Sequence, residues 1–263
     1  MKIDYSILIS PYPLFLNNIG HVKSITLEEI FSPSVTYPVY NSYLSFLLLT
    51  PETYYEEIAK SKTAWYNSLP QEKKDEIATF DLVCKDVSLQ KTYQSIFNLF
   101  LVENVVWDNI NQVFVVYTDF DDNGNVVPSG LIHKNIFGEL CDIILQRCAI
   151  NRSAEDVDES LVKSKKARKT INLLKKGRKK LHKTSERNRS VEIPNLISSL
   201  ASRSKSLNYI NIWKLTVYQL YDQFKREQTG EFLDIQKTSV AAYGNKEKNY
   251  KGNEWYAYQA DAD

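Results

Sequence analysis

Glycine and proline are scarce, at eight of each in 263 residues. So few glycines exclude most phosphate-cradling loops, and the chain has no Gly-rich phosphate loop, no nucleophile elbow and no HExxH helix. Few sharp turns and long regular elements should follow. Only three cysteines occur, Cys84, Cys141 and Cys148, an odd number without the short spacing of a disulfide framework. Cys141 and Cys148 are seven apart and share a face if helical, which fits buried thiols. The three histidines, His21, His133 and His182, are far apart, and His133 with Cys141 and Cys148 matches no common zinc spacing. No window of 18 apolar residues exists, so no membrane-spanning helix is expected. Residues 1–16 lack a basic stretch, and Pro11 and Pro13 interrupt their apolar run, so no signal peptide is expected and a reducing cytoplasm fits. No residue set able to run a catalytic cycle is found; no enzyme, cofactor or bound metal is expected.

What is present is ordinary for a globular protein: 43% hydrophobic and 25% charged residues, enough apolar surface to offset chain entropy. Tyrosine is abundant, at 17 residues. Its ring and polar tip suit interfaces, although AT-rich coding drift would raise Tyr, Asn, Lys and Ile together. The net charge of +1 hides an asymmetry. Residues 1–160 carry 11 Lys and Arg against 22 Asp and Glu, residues 161–190 carry 13 against 1, and residues 191–263 carry 9 against 9.

The pattern predicts an α+β, mainly helical chain. We expect an N-terminal α+β domain over 1–152, a basic connector over 153–192 and a C-terminal helical region with an aromatic tail over 193–263. Tyr5–Ile9 reads as a short β run. Leu14–Leu16 and His21–Ile25 flank a hairpin loop at Asn17–Gly20. Thr26 and Glu29 form a capping box. Helices are expected over 37–49, from Thr50-Pro51 onward, over 71–84, and from a Ser88 cap through Phe100. Gln112–Tyr117 reads as a strand, Asp122–Asn125 as a tight turn, and Val126-Val127 as a return strand cut short by Pro128. Asn135 should cap a helix through Cys148. Beyond the connector, Leu196, Ile197 and Leu200 start a helix, and Thr216 with Gln219 caps another that Gly230 should stop. Asp119-x-Asp121-x-Asn123-Gly124 matches half of a calcium loop, but its twelfth position is Gly130 where a bidentate Glu is needed, so a hairpin turn is the better reading.

The basic stretch is the strongest electrostatic feature, carried by Lys165, Lys166, Arg168, Lys169, Lys175, Lys176, Arg178, Lys179 and Lys180 among others. Ile171, Leu174 and Leu181 give it a thin apolar stripe, and like-charge repulsion should fray it from about 177 to 190. It could neutralise phosphates, although it holds no aromatic for base stacking. It could also meet an acidic protein, and the reading weighted most is a solvated tether or a fold-back over the acidic N-terminal part.

Several runs resemble phage proteins encoded in tail gene clusters of Gram-positive hosts. They are Asn195–Arg226, Leu131–Ile150, Ser239-Val-Ala-Ala-Tyr-Gly-Asn245, Trp255-Tyr256, and the opening Ile19–Ile30 followed by Tyr40–Leu44. Their order along the chain is similar too, and together they cover about half of it. The resemblance is to tail assembly chaperones. It implies a protein of the host cytoplasm that binds the tape measure protein, keeps it soluble while tail tube subunits polymerise, and leaves before the virion is finished. It therefore implies the tape measure protein, and the tail tube protein, as partners. Helix-in-groove contact through rings would suit that role, with Trp213, Tyr218, Tyr221 and Phe224 as contacts and Trp255 and Tyr256 as lesser ones. Trp213, Val217, Leu220 and Phe224 would also serve as the inner face of a helix. The competing readings are a nucleic-acid accessory protein acting through 161–190 and a structural component of the virion. If nucleic acid is the partner of 161–190, binding collapses between roughly 50 and 200 mM salt. Replacing Lys175, Lys176, Lys179 and Lys180 with Gln then abolishes it in a gel-shift titration, and unchanged binding removes that reading.

Overall fold

The computed structural model describes residues 2–120, 126–150, 192–244 and 250. The expected turn at 122–125, the basic segment over 161–190, and Trp255 and Tyr256 lie outside the described residues. The fold is α+β and mainly helical, in two compact units, Met1–Arg152 and Ser153–Asp263.

The N-terminal unit opens with helix α1 (Tyr5–Ile9), where the β-rich composition predicts a strand. Local capping decides it. The Asp4 carboxylate accepts from the Ser6 amide at 2.8 Å and the Ser6 hydroxyl at 2.5 Å, which also holds that carboxyl below its usual range. The hairpin forms as expected from β1 (Leu14–Leu16) and β2 (Gly20–Val22). Gly20 has φ 123 and a Cβ there would meet the Glu103 carboxylate at 2.6 Å, so this turn requires glycine. Helix α2 (Leu27–Ile30) carries the Thr26–Glu29 capping box. Helix α3 (Tyr37–Leu47) follows, then the Thr50-capped turn α4 (Pro51–Thr53) running into a π-helical turn at Tyr54–Ile58. Helix α5 covers Thr63–Ser68.

The single helix expected over 71–84 is two, α6 (Gln71–Asp75) and α7 (Thr79–Lys85). Asp81 explains the restart, because its carboxylate accepts from the Ala78 amide at 3.0 Å. Helix α8 (Val87–Phe100) is capped by Asp86 rather than Ser88: the Asp86 carboxylate accepts from the amides of Ser88 and Leu89 at 2.9 and 3.4 Å. A carboxylate two residues upstream outcompetes the hydroxyl for the free N–H groups. Helix α9 (Lys134–Arg147) starts after His133, whose Nδ1 accepts from the Asn135 amide, so Asn135 lies inside the helix and is not its cap.

Between α8 and α9 lies an antiparallel meander, β3 (Asn104–Asp108), β4 (Val113–Phe120) and β5 (Val126–Ile132). Sequence patterning missed β3, although Val105, Val106 and Trp107 are strand formers. It also stopped β5 at Pro128. The strand runs through, because β5 is an edge strand and its pairing to β4 is irregular there, so the missing N–H breaks no ladder bond.

The core is aromatic. Phe97 of α8 meets Phe114 of β4 at 5.1 Å and Phe137 of α9 at 5.9 Å, both edge to face. Tyr93 and Phe80 pack on Phe137 at 4.9 and 5.2 Å. Helix α8 also binds the free edge of β3. The Asn98 amide donates to the Val105 carbonyl at 2.9 Å and accepts from the Val105 N–H at 2.7 Å, and Gln94 accepts from the Trp107 N–H at 3.1 Å. The β1–β2 hairpin docks beside α8 through Lys23 N–H to Phe100 O at 2.8 Å and Val102 N–H to His21 O at 2.9 Å. Arg147 anchors the opposite end of α9. Its buried guanidinium donates to the Tyr12 carbonyl at 2.7 Å and to the Ser24 hydroxyl, and burial lowers it to about 10.

Two predictions follow from these contacts. Asn98→Ala strands two groups of a buried backbone amide and should cost about 2–4 kcal/mol by denaturant unfolding. The second concerns Glu103, buried beneath the hairpin. Burial pushes its carboxyl up, but the His21 ring nitrogen at 2.6 Å and the His21 amide at 2.9 Å outweigh that and hold it below the usual range. A depressed folded value stabilises above the ordinary carboxylate range, about pH 4.3, and is lost as pH falls through it. Glu103→Gln should therefore flatten the loss of unfolding free energy between about pH 5 and 3, measured by urea titration at each pH; an unchanged slope removes Glu103 as its source.

Candidate partner-binding helix

The C-terminal unit is built on two helices. Pro194 opens α10 (Ile193–Arg203), which buries Ile193, Leu196, Ile197 and Leu200. The loop after it is tied by side chains: Asn208 accepts from the Ile210 amide at 2.8 Å, and the Tyr209 hydroxyl lies 3.2 Å from that of Ser198. A 3-10 turn at Ile212–Lys214 buries Ile212 and directs the Trp213 indole N–H to the Tyr209 carbonyl at 2.8 Å. Thr216 and Gln219 then form the expected capping box, with bonds of 3.2 and 3.0 Å.

Helix α11 runs from Val217 to Tyr243, 27 residues. The expected stop at Gly230 is not there. One glycine in a helix interior costs about 1 kcal/mol, too little to end a helix whose next residues are good helix formers. The helix ends instead at Gly244, whose φ of 76 lies in the left-handed region that glycine adopts freely.

Helix α10 packs on α11, and Val217 and Leu220 are buried. Trp213, Tyr218, Tyr221 and Phe224 are all half-buried. Tyr218 thus falls in the same intermediate range of exposure as Phe224. Spacing by seven from Val217 and Phe224 leads to Glu231, which pairs with Arg203 at the last residue of α10. One turn further along the same face is Ile235, 69% exposed. Phe232 at 56% and Tyr243 at 80% lie close to it, since positions 232, 235, 239 and 243 share one face of a helix. Sequence reasoning missed this face because it ended the helix at Gly230. The signal was the helical spacing of Phe232, Ile235 and Tyr243 itself. Asp234 and Lys237, 3.1 Å apart, flank it with balanced charge.

Among the described residues no three His, Cys, Asp or Glu side chains are placed to hold a metal ion. Burial raises the Cys84 thiol and pushes Cys148 up to about 12, so both are protonated at neutral pH and poor nucleophiles. No helix among the described residues is long and apolar enough to cross a membrane.

No curated protein and no solved structure matches the chain. Residues 183–258, which include all of α10 and α11, match the family model described as the YomV second domain, so the chain carries a phage-associated domain.

Proposed function

We propose that the protein is a phage tail assembly chaperone, which holds the tape measure protein soluble during tail tube polymerisation and makes or breaks no bonds itself. The observation that carries the reading is the apolar face of α11 that continues past α10 as Phe232, Ile235 and Tyr243. A monomeric soluble protein seldom leaves contiguous apolar residues exposed unless they meet a partner. A tape measure protein is a long helical chain with apolar stripes that aggregate when bare, and one such stripe laid along α11 covers both surfaces by helix-on-helix packing. The resemblance of Asn195–Arg226 and Leu131–Ile150 to tail-cluster proteins supports the reading, as does the phage-associated domain over 183–258.

Co-expression tests it. The wild-type protein should bring the tape measure protein into the soluble fraction and co-purify with it. Phe232→Asp with Ile235→Asp should leave the melting temperature within a few degrees, because both side chains face solvent. The same pair should weaken the complex by about 2 kcal/mol or more, roughly thirtyfold, if these residues are anchors. No rescue of solubility by the wild type, or equal rescue by the double variant, overturns it.

A further inference from the structure

The stretch of α11 from Glu231 to Tyr243 runs beyond α10, whose last residue, Arg203, pairs with Glu231. An isolated helix shorter than about 12–15 residues is marginal in water, and this stretch is of that size. Gly230 at its base weakens it further. It therefore needs tertiary packing, and burial shows on which side. Leu233 is 1% exposed. At 3.6 residues per turn it lies about 160° round the helix from both Glu231 and Ile235, so it faces away from the side that meets α10. Gln236 and Val240 share its side, at three and seven residues on. Val240 is half-buried. The Gln236 amide oxygen is buried and has no hydrogen-bond partner among the described residues, and a buried acceptor of this kind calls for a donor.

Tyr250 identifies the segment that covers this side. The Lys237 ammonium is held above its ordinary range, first by the hydrogen bond to Asp234 at 3.1 Å and the charge of that carboxylate, then by the Tyr250 phenol. Lys237 stands about two turns before Gly244, roughly 10 Å back along the helix axis. A phenol that acts on it lies alongside α11 and not beyond its end. Tyr250 is also half-buried. Residues 183–258 match one domain family, so the segment after Tyr250 belongs to the same unit as α11.

We propose that residues 251–258 run back along α11 and lay the Trp255 ring over Leu233, with the indole N–H donating to the Gln236 amide oxygen. Trp255 can lie up to about 17 Å from Tyr250, and Leu233 is only about 6 Å of helix from Lys237. Tryptophan supplies an apolar ring and one N–H that needs a partner when buried, which is what Leu233 and Gln236 together require. The aromatic tail thus braces the part of α11 that α10 does not reach. Phe232 and Ile235 stay open on the other side, and they stay helical because the tail is packed behind them. The inference concerns how that face is held and does not depend on what binds it.

Hydrogen exchange of the full chain, with no partner added, tests it. Trp255→Ala should speed exchange of the amides from Leu233 to Tyr243 by about tenfold or more, with α8, α9 and α10 unchanged. Trp255→Phe, which keeps a ring and loses the N–H, should fall between that variant and the wild type. In the wild type, nuclear Overhauser contacts should join the Trp255 indole to the Leu233 methyl groups. Exchange over 233–243 that is unchanged in Trp255→Ala overturns the proposal. If exchange rises equally in α10, the whole unit has loosened and the wild-type contact decides: its presence upholds the brace and its absence overturns it.

Discussion

The edge-to-face contacts of Phe97 with Phe114 and Phe137 hold the N-terminal unit together. Phe97 is fully buried and is the point where α8, the meander and α9 meet. Aromatic pairs in this geometry contribute about 0.5–1.5 kcal/mol each beyond their buried area. They also fix orientation, because a ring edge must point at a ring face. Tyr93 and Phe80 extend the cluster, with the Tyr93 hydroxyl donating to the Phe46 carbonyl of α3 at 2.6 Å.

A three-stranded sheet has two open edges, and in this one part of each meets a group from outside the sheet. Asn98 and Gln94 of α8 act as side-chain substitutes for a neighbour on β3. On β5, the Leu131 N–H donates to the Asn18 carbonyl of the hairpin at 2.9 Å, and Pro128 removes a further donor. An unpaired edge invites pairing with other chains, so these contacts disfavour edge-to-edge association of the sheet. The β1–β2 hairpin touches α8 at one side and β5 at the other, with Glu103 held against its turn by His21. The meander and the helices are joined through it.

The C-terminal unit uses the opposite strategy. Helix α11 is longer than the helix that covers it, and its surplus length carries Phe232, Ile235 and Tyr243 into solvent. Two of its charge pairs are local, Asp222 with Arg226 at 3.0 Å and Asp234 with Lys237 at 3.1 Å, so ion pairs and exposed apolar side chains share one helix. The exposed face of a helix is convex and encloses nothing, so it is no small-ligand pocket.

Much of the architecture was legible in the residues: the hairpin, the Thr26 and Thr216 capping boxes, α3, α10 and the mainly helical class all rest on local chemistry and spacing. The misreadings share a cause, competition between local signals that a linear reading weighs separately. Asp4 made a helix of a β-rich run, Asp86 displaced Ser88, and Asp81 split one helix into two. The sequence by itself determined the secondary-structure class, the segregation of charge and the absence of familiar catalytic motifs, because each depends on residue type and short spacing. Only the tertiary structure decided that β3 pairs as an edge and that α11 passes Gly230 and outruns α10. Those outcomes depend on which surfaces are covered, and coverage is set by contacts between residues far apart in the chain.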